Sequence, residues 1–244
     1  MLKYSAISDI GLKREKNEDN WNIVLDKNGN PIGFIIADGM GGYHAGEEAS
    51  RIAVEGMSEM VLECTSGSLS FDEIKEVAAK RINDINNKIM NYSLQNLGGL
   101  KSGTTLSVGM VIGDVLHIIH VGDSRVYRIR DGRISRLTED HSLVAELVRE
   151  GVISADEASH HPDRNRITRA LGFEENFFPD MFKEIILPGD IYIFCTDGLY
   201  EDLSDGDILK TVLEEPRETI SKRLVEKAKK YGGSDNITVI VAWM

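Results

Sequence analysis

The chain has 244 residues, of which 41% are hydrophobic and 28% charged, and its formal net charge is −12. This composition suits a globular protein with a real core and excludes a disordered chain, and the length suits one large domain. The negative charge disfavours nucleic-acid binding, and the absence of a long apolar run or a secretory leader predicts a cytoplasmic protein that does not bind membranes.

The first part of the chain predicts strands followed by two helices. The segments LKYSAISD and WNIVLDKNGNPIGFIIADG have strand-like patterns, and Asn28-Gly29 between two such runs is a strong hairpin signal. Apolar residues at three- and four-residue spacings predict helices over roughly Gly46 to Cys64 and Phe71 to Leu97. Each helix has one apolar face, which is typical of a helix that covers a sheet.

Residues 103–138 predict a β meander with turns at Gly113-Asp114 and Asp131-Gly132. Further elements are then predicted, in order: short helices around His141 to Glu150 and Ala155 to Ser159, a strand over Asp190 to Thr196, a helix capped by Ser204, a helix after Pro216 and a final strand NITVIVAWM. The polar residues 151–168 predict a surface flap.

This order of elements lacks the strict alternation of a doubly wound chain, and its hairpins require antiparallel pairing. We therefore predict a layered α/β protein, with a central antiparallel β-sandwich flanked by helices on both outer faces. Residues 1–244 are predicted to form a single domain, with a flap subdomain at about 141–170. Cys64 and Cys195 lie far apart and are predicted to be free thiols.

Acidic residues follow two apolar segments in a way that a simple turn explains poorly. At Asp131-Gly132 charged strand residues flank the pair, and a turn is the natural interpretation. Asp38 and Asp197 instead follow FIIA and YIFCT and lead towards a helix. A buried carboxylate without a partner is expensive, so it is usually neutralised, paired or bound to a metal.

Further acids stand at comparable points of the chain. Asp235 precedes the last strand, and Glu18 and Asp19 precede the second. If these acids meet at one edge of the sandwich, they cannot all stay ionised without a cation. Oxygen ligands alone favour Mg²⁺ or Mn²⁺ over zinc, and two such ions suit phosphoryl chemistry. Each acid taken singly is more often structural or solvated.

Eight segments together resemble the metal-dependent protein phosphatase family of the protein phosphatase 2C type, in its compact bacterial form. In chain order they are GLKREKNED, ADGMGG, SGTT, HVGDSRVYR, LTEDHSLV, HPDRNRITRALG, CTDGL and GGSDNITVIV. The resemblance implies a serine/threonine phosphatase that uses a binuclear Mn²⁺ or Mg²⁺ centre on a helix-covered β-sandwich. As partners it implies phosphorylated Ser/Thr proteins, including a bacterial Ser/Thr kinase, and a monomer is the default expectation.

The resemblance also assigns the metal ligands by position. It implies that Asp38 bridges two ions, and that Gly39 offers its carbonyl to one of them. It further implies that Asp197 and Asp235 bind the other ion. The remaining acids are assigned to outer positions: Glu18 and Asp19 to metal-bound waters, and Asp123 to a weaker third ion, with capping or a surface pair as the alternative for Asp123.

A loop arginine is usually only solvated, but the position of Arg14 before Asn17-Glu18-Asp19 in the family motif implies that it is the phosphate-binding cation. Its planar guanidinium can hold two phosphate oxygens at once. With Asp38 it forms the predicted catalytic pair, in a direct attack by a metal-bridging hydroxide without a phosphoenzyme. Met40 stands where many eukaryotic relatives carry histidine, so no general acid is assigned. His141, His160 and His161 are given no catalytic role.

Three other functions fit parts of the sequence. A phosphoprotein-binding module without turnover is the main alternative, although such a module is expected to lack one of the metal acids. An acidic Ca²⁺-stabilised domain would leave Arg14 unexplained. A hydrolase for another phosphate ester stays open, because the predicted metal centre would recognise only phosphate.

Overall fold

Two antiparallel sheets and seven α-helices account for the regular structure of the described residues, which are 2–41, 45–67, 69–98, 100–173 and 178–244 of a computed structural model. Gly42, in the ADGMGG segment, lies outside these ranges. The strands are β1 (Lys3–Asp9), β2 (Asp19–Leu25), β3 (Pro31–Gly41), β4 (Ser102–Thr104), β5 (Leu106–Ile112), β6 (Val115–Val121), β7 (Arg125–Arg130), β8 (Arg133–Arg136), β9 (Asp180–Ile185), β10 (Ile191–Cys195) and β11 (Ile237–Trp243). The helices are α1 (Ala45–Thr65), α2 (Phe71–Asn96), α3 (Leu143–Arg149), α4 (Ala155–Ser159), α5 (Asp197–Tyr200), α6 (Asp205–Glu214) and α7 (Ile220–Tyr231).

The strand order is β1-β11-β10-β7-β8 in the first sheet and β2-β3-β5-β6-β9 in the second, with β4 paired to the end of β3. The two sheets pack face to face, as the stacked rings of Phe34 and Phe194 show, with centroids 5.7 Å apart. Because side chains alternate along a strand, the neighbour of each phenylalanine faces the opposite way. Ile35 packs under α1 and α2, and Ile193 packs under α6 and α7. The predicted α-β-β-α layers are confirmed.

Local signals placed most boundaries correctly. Gly29, with φ +80°, closes the β2–β3 hairpin, and Asp131 and Gly132 both adopt positive φ in the β7–β8 turn. Ser154 caps α4 in a capping box, and Ser204 caps α6. Cys64 and Cys195 are buried free thiols, as predicted.

Three details differ from the prediction. The run through Asp38 does not end there, because β3 continues to Gly41 by pairing with β4. Strand β9 was not predicted, since it is a short edge strand in which charged residues interrupt the apolar ones. His141 does not begin a helix: Ser142 is the cap of α3, and the His141 ring is buried.

Residues 141–170, called here the flap segment, have their two ends tied to each other. Ser142 and Ile167 form an isolated bridge, and the Thr168 N–H donates to the His141 carbonyl at 2.8 Å. Every residue of α3 and α4 keeps part of its surface accessible to solvent. Within the described ranges, no helix combines the length and the apolar character that a membrane crossing requires.

Candidate active site

The two strands β2 and β3 place the first pair of acids side by side. Asp19, the first residue of β2, lies directly opposite Asp38 in the antiparallel register. Directly opposed residues have Cβ atoms about 4.5–5.5 Å apart and share one face of the sheet. The early start of β2 and the late end of β3 therefore bring these carboxylates together.

The main chain of Asp38 is fixed by the SGTT segment. Its N–H donates to Thr105 Oγ1 at 2.9 Å, and its carbonyl accepts from Thr104 Oγ1 and from the Thr105 N–H, each at 2.9 Å. These bonds satisfy the backbone of Asp38 where the β3 pairing switches from β5 to β4. All of these bonds are made by the main chain of Asp38. They fix the direction of its side chain and leave the carboxylate oxygens unused.

The other sheet delivers its acids to the same edge. Asp197 follows the end of β10 and opens α5, and Asp235 lies just before β11. Asp19 joins the two sheets there, because its Oδ2 accepts from Thr196 Oγ1 at 2.9 Å and from Thr238 Oγ1 at 2.6 Å. The predicted convergence of the acids is therefore present in the fold.

The acids raise one another's pKa. Burial first, and then the Asp19 carboxylate, raises the pKa of Asp38 well above its ordinary value. Burial and then Asp123 do the same for Asp197, and burial raises the pKa of Asp19 to about 7. Such shifts mean that the ionised cluster is under mutual repulsion and that positive charge would stabilise it.

The donor set fits hard divalent cations. Asp19 Oδ1 and Asp197 Oδ1 are buried and have no hydrogen-bond partner among the described residues. The donors are all oxygens, which Mg²⁺ and Mn²⁺ prefer. Within the described ranges no three His, Cys, Asp or Glu side chains already form a coordination shell by themselves. The carboxylates thus lie near one another, and binding of a cation would require them to move closer.

Close backbone approach explains two glycines at this edge. A methyl group added at Gly39 would overlap the carbonyl oxygens of Gly46 and Glu18, and one added at Gly198 would overlap the carbonyl oxygen of Asn236. The Gly39 N–H also donates to the Glu18 carbonyl at 3.2 Å. These contacts press the loop before β2 and the start of α1 against β3, and Glu18 lines the pocket that results.

That pocket, called here the acidic pocket, has a volume of about 480 Å³. Arg14, Asp38, Asp197 and Asp235 line it. Arg14 Nη2 donates to Asp235 Oδ2 at 2.6 Å, so the predicted phosphate-binding cation is paired with a predicted metal ligand. The guanidinium stands at the mouth of the pocket, where 52% of its side chain is exposed.

Sequence reasoning assigned no role to Asn236, although it lies in the GGSDN segment. Its amide Nδ2 donates to the carbonyls of Ile10 and Lys16 at 3.0 and 2.9 Å, and its Oδ1 accepts from the Glu18 N–H at 2.8 Å. This single side chain fixes the loop that carries Arg14. The pattern of an Asn after a metal-binding acid could not by itself reveal a partner more than 200 residues away.

The flap segment forms the opposite wall of the acidic pocket through Asn165, Ile167, Thr168 and Arg169. Arg169 is a second cation that sequence reasoning left without a role. Its Nη1 donates to Asp180 Oδ1 at 3.2 Å, which holds it against β9. The acidic pocket therefore has a guanidinium on each of two walls.

Asp123 is buried behind Asp197, with 7% of its surface exposed. Burial and then Asp140 raise its pKa to about 7, and it in turn raises the pKa values of Asp197 and Asp38. Its main-chain carbonyl accepts from Tyr200 Oη at 3.0 Å. Asp123 thus belongs to the same electrostatic cluster and is no surface ion pair.

The three histidines lie outside the acidic pocket. His160 is exposed on the flap segment and His161 is partly exposed. His141 Nδ1 accepts from the Gly122 N–H at 3.0 Å, so its proton is on Nε2, which lies 3.1 Å from Asp180 Oδ2. His141 therefore braces the base of the flap segment.

Comparisons with known proteins agree with this geometry. The sequence model described as Protein phosphatase 2C matches residues 13–230. The chain is 38% identical over 237 residues to the serine/threonine phosphatase stp of Listeria monocytogenes, covering 96% of this chain and 92% of that protein. The chain belongs to the protein phosphatase 2C family, and the predicted enzyme class is confirmed.

Solved structures extend the agreement to the fold. The serine/threonine phosphatase Stp1 of Staphylococcus aureus superposes with a TM-score of 0.90 and 31% identity, covering 100% of this chain and 95% of that one. The catalytic domain of the serine/threonine protein phosphatase PstP, solved with two manganese ions, gives a TM-score of 0.84 and 33% identity over 99% and 97% of the two chains.

Proposed function

We propose that this protein hydrolyses phosphoserine and phosphothreonine in proteins, in a reaction that depends on Mn²⁺ or Mg²⁺. One observation carries the proposal: acids from both sheets meet in a pocket that also presents Arg14, and Asp197 Oδ1, like Oδ1 of the neighbouring Asp19, is buried without a partner among the described residues. The relative solved with two manganese ions supports the choice of cation. We further propose one domain over residues 1–244, with a flap subdomain at about 141–170.

The acids are proposed to bind the metals in different positions. Asp38 would bridge two ions, since it lies between Asp19 on its own sheet and Asp197 on the other. When bound, the ions would lower the pKa of a water molecule that attacks phosphorus, and would offset the charge on the phosphate oxygens. The remaining proposed metal-binding groups are the Gly39 carbonyl, Asp197, Asp235, Glu18 and Asp19, with Asp123 at a third position.

Arg14 is proposed to exchange partners during the reaction. In this structure one of its nitrogens donates to Asp235. A guanidinium has five N–H donors in a planar fork, which matches two phosphate oxygens better than a single carboxylate oxygen. A phosphate in the pocket would therefore compete for Arg14 and release Asp235 for metal binding. With the pair separated, Arg14 could bind the phosphate and Asp235 could bind a metal ion.

Hydrolysis is proposed to be direct, because the nearest thiol is a poor nucleophile. Cys195 is fully buried at the end of β10, and burial raises its pKa to about 12. A thiol with such a pKa stays protonated at neutral pH. No phosphocysteine intermediate is therefore included in the proposal.

The experiment is a metal titration with three kinds of substrate. We expect Mn²⁺ to activate hydrolysis of a phosphothreonine peptide and of p-nitrophenyl phosphate, and Asp38→Asn to abolish both. Lack of turnover with any divalent ion, combined with phosphopeptide binding, would support the binding-module alternative. Faster turnover of small phosphorylated metabolites than of peptides would favour another phosphate ester as the substrate.

A calcium control addresses the structural alternative. A large thermal stabilisation by Ca²⁺ and none by Mn²⁺ would indicate a calcium-stabilised domain. We also propose a bacterial Ser/Thr kinase among the substrates, and a cytoplasmic monomer as the working form. Loss of phosphate from an autophosphorylated kinase on incubation with the wild-type protein, and not with Asp38→Asn, would support the kinase as a substrate.

A further inference from the structure

A second cleft, larger than the acidic pocket, lies beside it and is called here the flap cleft. Its volume is about 780 Å³, within the range of about 300–1,000 Å³ that is typical of ligand sites. Helices α3 and α4 form one wall, and Arg125, Tyr200 and Glu201 form part of the other. Asn165 lines both clefts, so the two adjoin at that residue.

The wall formed by the flap segment includes an apolar strip. Val144, Ala145 and Val148 of α3 line the cleft together with Ala155 and Ala158 of α4. Residues four apart, such as Val144 and Val148, lie on the same helix face. These residues all keep accessible surface, so they present an apolar strip that the protein's own core does not cover.

The floor of the flap cleft is rigid. Arg125 Nε and Nη2 donate to Asp140 Oδ1 and Oδ2 at 3.0 and 2.6 Å, and the guanidinium carbon lies 3.5 Å from the centroid of the Tyr200 ring. Tyr200 Oη donates to the main-chain carbonyl of Asp123. Bidentate pairing and stacking on an aromatic ring fix an arginine firmly. The floor is thus preformed and tied to the acid cluster.

Charges of both signs border the apolar strip. Arg149 and Arg164 line the cleft on the flap segment, and Glu139 and Glu201 line it as well. An apolar centre with a polar border is the usual anatomy of a protein-binding surface. Because Asp123, Asp140 and Asp202 also line it, the flap cleft suits a polypeptide that offers both an apolar side chain and polar groups.

A polypeptide substrate must also pass near this cleft. Once a phosphorylated side chain enters the acidic pocket, its main chain lies at the pocket mouth. An extended chain advances about 3.3 Å per residue, so residues a few positions away reach well past Asn165. Because the two clefts adjoin, a chain that leaves the acidic pocket on that side meets the surface lined by α3 and α4.

We propose that the flap cleft binds the part of the substrate polypeptide next to its phosphorylated residue, and selects an apolar side chain there against Val144, Val148 and Ala158. This inference rests on the proposed phosphatase function and names the sequence feature that its protein substrates share. The selectivity would come from burial of the substrate side chain, and would not alter the chemistry in the acidic pocket.

The test uses phosphothreonine peptides with a Gly/Ser background in which one leucine is moved through four positions on each side. For the wild-type protein we expect leucine to raise kcat/KM about fivefold or more at one or a few adjacent positions on one side only. Val148→Glu should remove this gain and leave p-nitrophenyl phosphate turnover within about twofold. Val152→Glu is the matched control, because Val152 is 63% exposed on the flap segment and lies outside the cleft lining.

Ala158→Glu tests the same wall from α4 and serves if Val148→Glu lowers the melting temperature. Equal rates for all leucine positions, or equal effects of Val148→Glu and Val152→Glu, would overturn the proposed selectivity while leaving the phosphatase function intact. A wild-type protein that hydrolyses neither peptides nor p-nitrophenyl phosphate would instead refute the function, and the cleft proposal with it.

Discussion

The flap segment forms one wall of the acidic pocket, but the rest of the pocket and the flap segment are stabilised differently. Around the pocket, Asp19 bridges the two sheets through buried hydroxyls, and Gly39 has no room for even a methyl group. In the flap segment, every residue of α3 and α4 remains partly accessible. The acids of the pocket must be held in fixed positions despite their mutual repulsion. The surface of the flap segment needs only enough order to bind a partner.

The largest expected effect comes from Asp38→Asn, which tests the repulsion directly. We expect kcat/KM in Mn²⁺ to fall at least a hundredfold, because the proposed bridging ligand is lost. The same change should leave stability unchanged or raise it in EDTA, because it removes one of several like charges. Activity assays and thermal melts in EDTA measure the two effects.

The matched control for that change is Asp131→Asn in the exposed β7–β8 turn, where Asn tolerates the positive φ. It should alter neither activity nor melting temperature appreciably. A destabilised Asp38→Asn protein in EDTA would show that Asp38 supports the fold and is not a source of repulsion within it.

Gly39→Ala tests how tightly the pocket is packed. The added methyl group would meet two carbonyl oxygens, so we expect a loss of about 3 kcal/mol or more in the free energy of unfolding. In Gly206→Ala, on α6, the methyl group would meet only Ser204 Oγ, at 3.7 Å, so that variant should be neutral or slightly stabilising. Urea denaturation compares the two, and equal losses would contradict the proposed close approach.

His120, next to His141 at the base of the flap segment, gives the expected pH dependence. Its ring nitrogens contact Ser107 Oγ and the Glu139 carbonyl, and burial, reinforced by His141, lowers its pKa to about 4. An unfolded histidine has a pKa of about 6.5, so between these values the unfolded chain binds a proton that the folded protein does not. His120 should therefore lower the stability by up to about 3 kcal/mol as the pH drops from about 6.5 towards 4, whereas the raised pKa values of the acid cluster act in the opposite direction over the same range.

His120→Asn removes this titrating group and retains His141, Asp140 and Asp180, which face it. Relative to the wild-type protein, the variant is expected to become more stable as the pH falls from about 7 to 4.5, as measured by urea titrations of both proteins at several pH values. Parallel pH curves for the two proteins would show that His120 does not carry the dependence.

The smallest effect compares two identical helix caps. Ser70 and Ser154 each form a capping box with a glutamate three residues later, on α2 of the outer layer and on α4 of the flap segment. Ser70→Ala should lower the global free energy of unfolding by about 1 kcal/mol. Ser154→Ala should leave it unchanged and accelerate amide hydrogen exchange in α4 alone, because the flap segment opens locally. Equal global losses would contradict this distinction.

The outline of the fold was readable from the sequence because its signals are local. The hairpin at Asn28-Gly29, the capping box at Ser154 and the one-sided helices each depend on residues a few positions apart. Strand β9 escaped prediction because an edge strand pairs on one side and needs little apolar character. The positions of the acids next to apolar strand segments marked them as candidate site residues, and the family resemblance implied their roles.

The order of residues along the chain is enough to place acids at the strand ends and to suggest that an acidic protein with Arg14 among carboxylates suits phosphate chemistry. Which groups meet follows from the packing of the sheets: Asp19 lies opposite Asp38, Arg14 pairs with Asp235, and Asn236 holds a loop from the other end of the chain. The tertiary structure also revealed Arg169 in the pocket wall and the cleft under α3 and α4. The reason is physical: strand and helix signals act over a few residues, whereas electrostatic clusters and clefts arise from segments that are brought together only when the sheets pack.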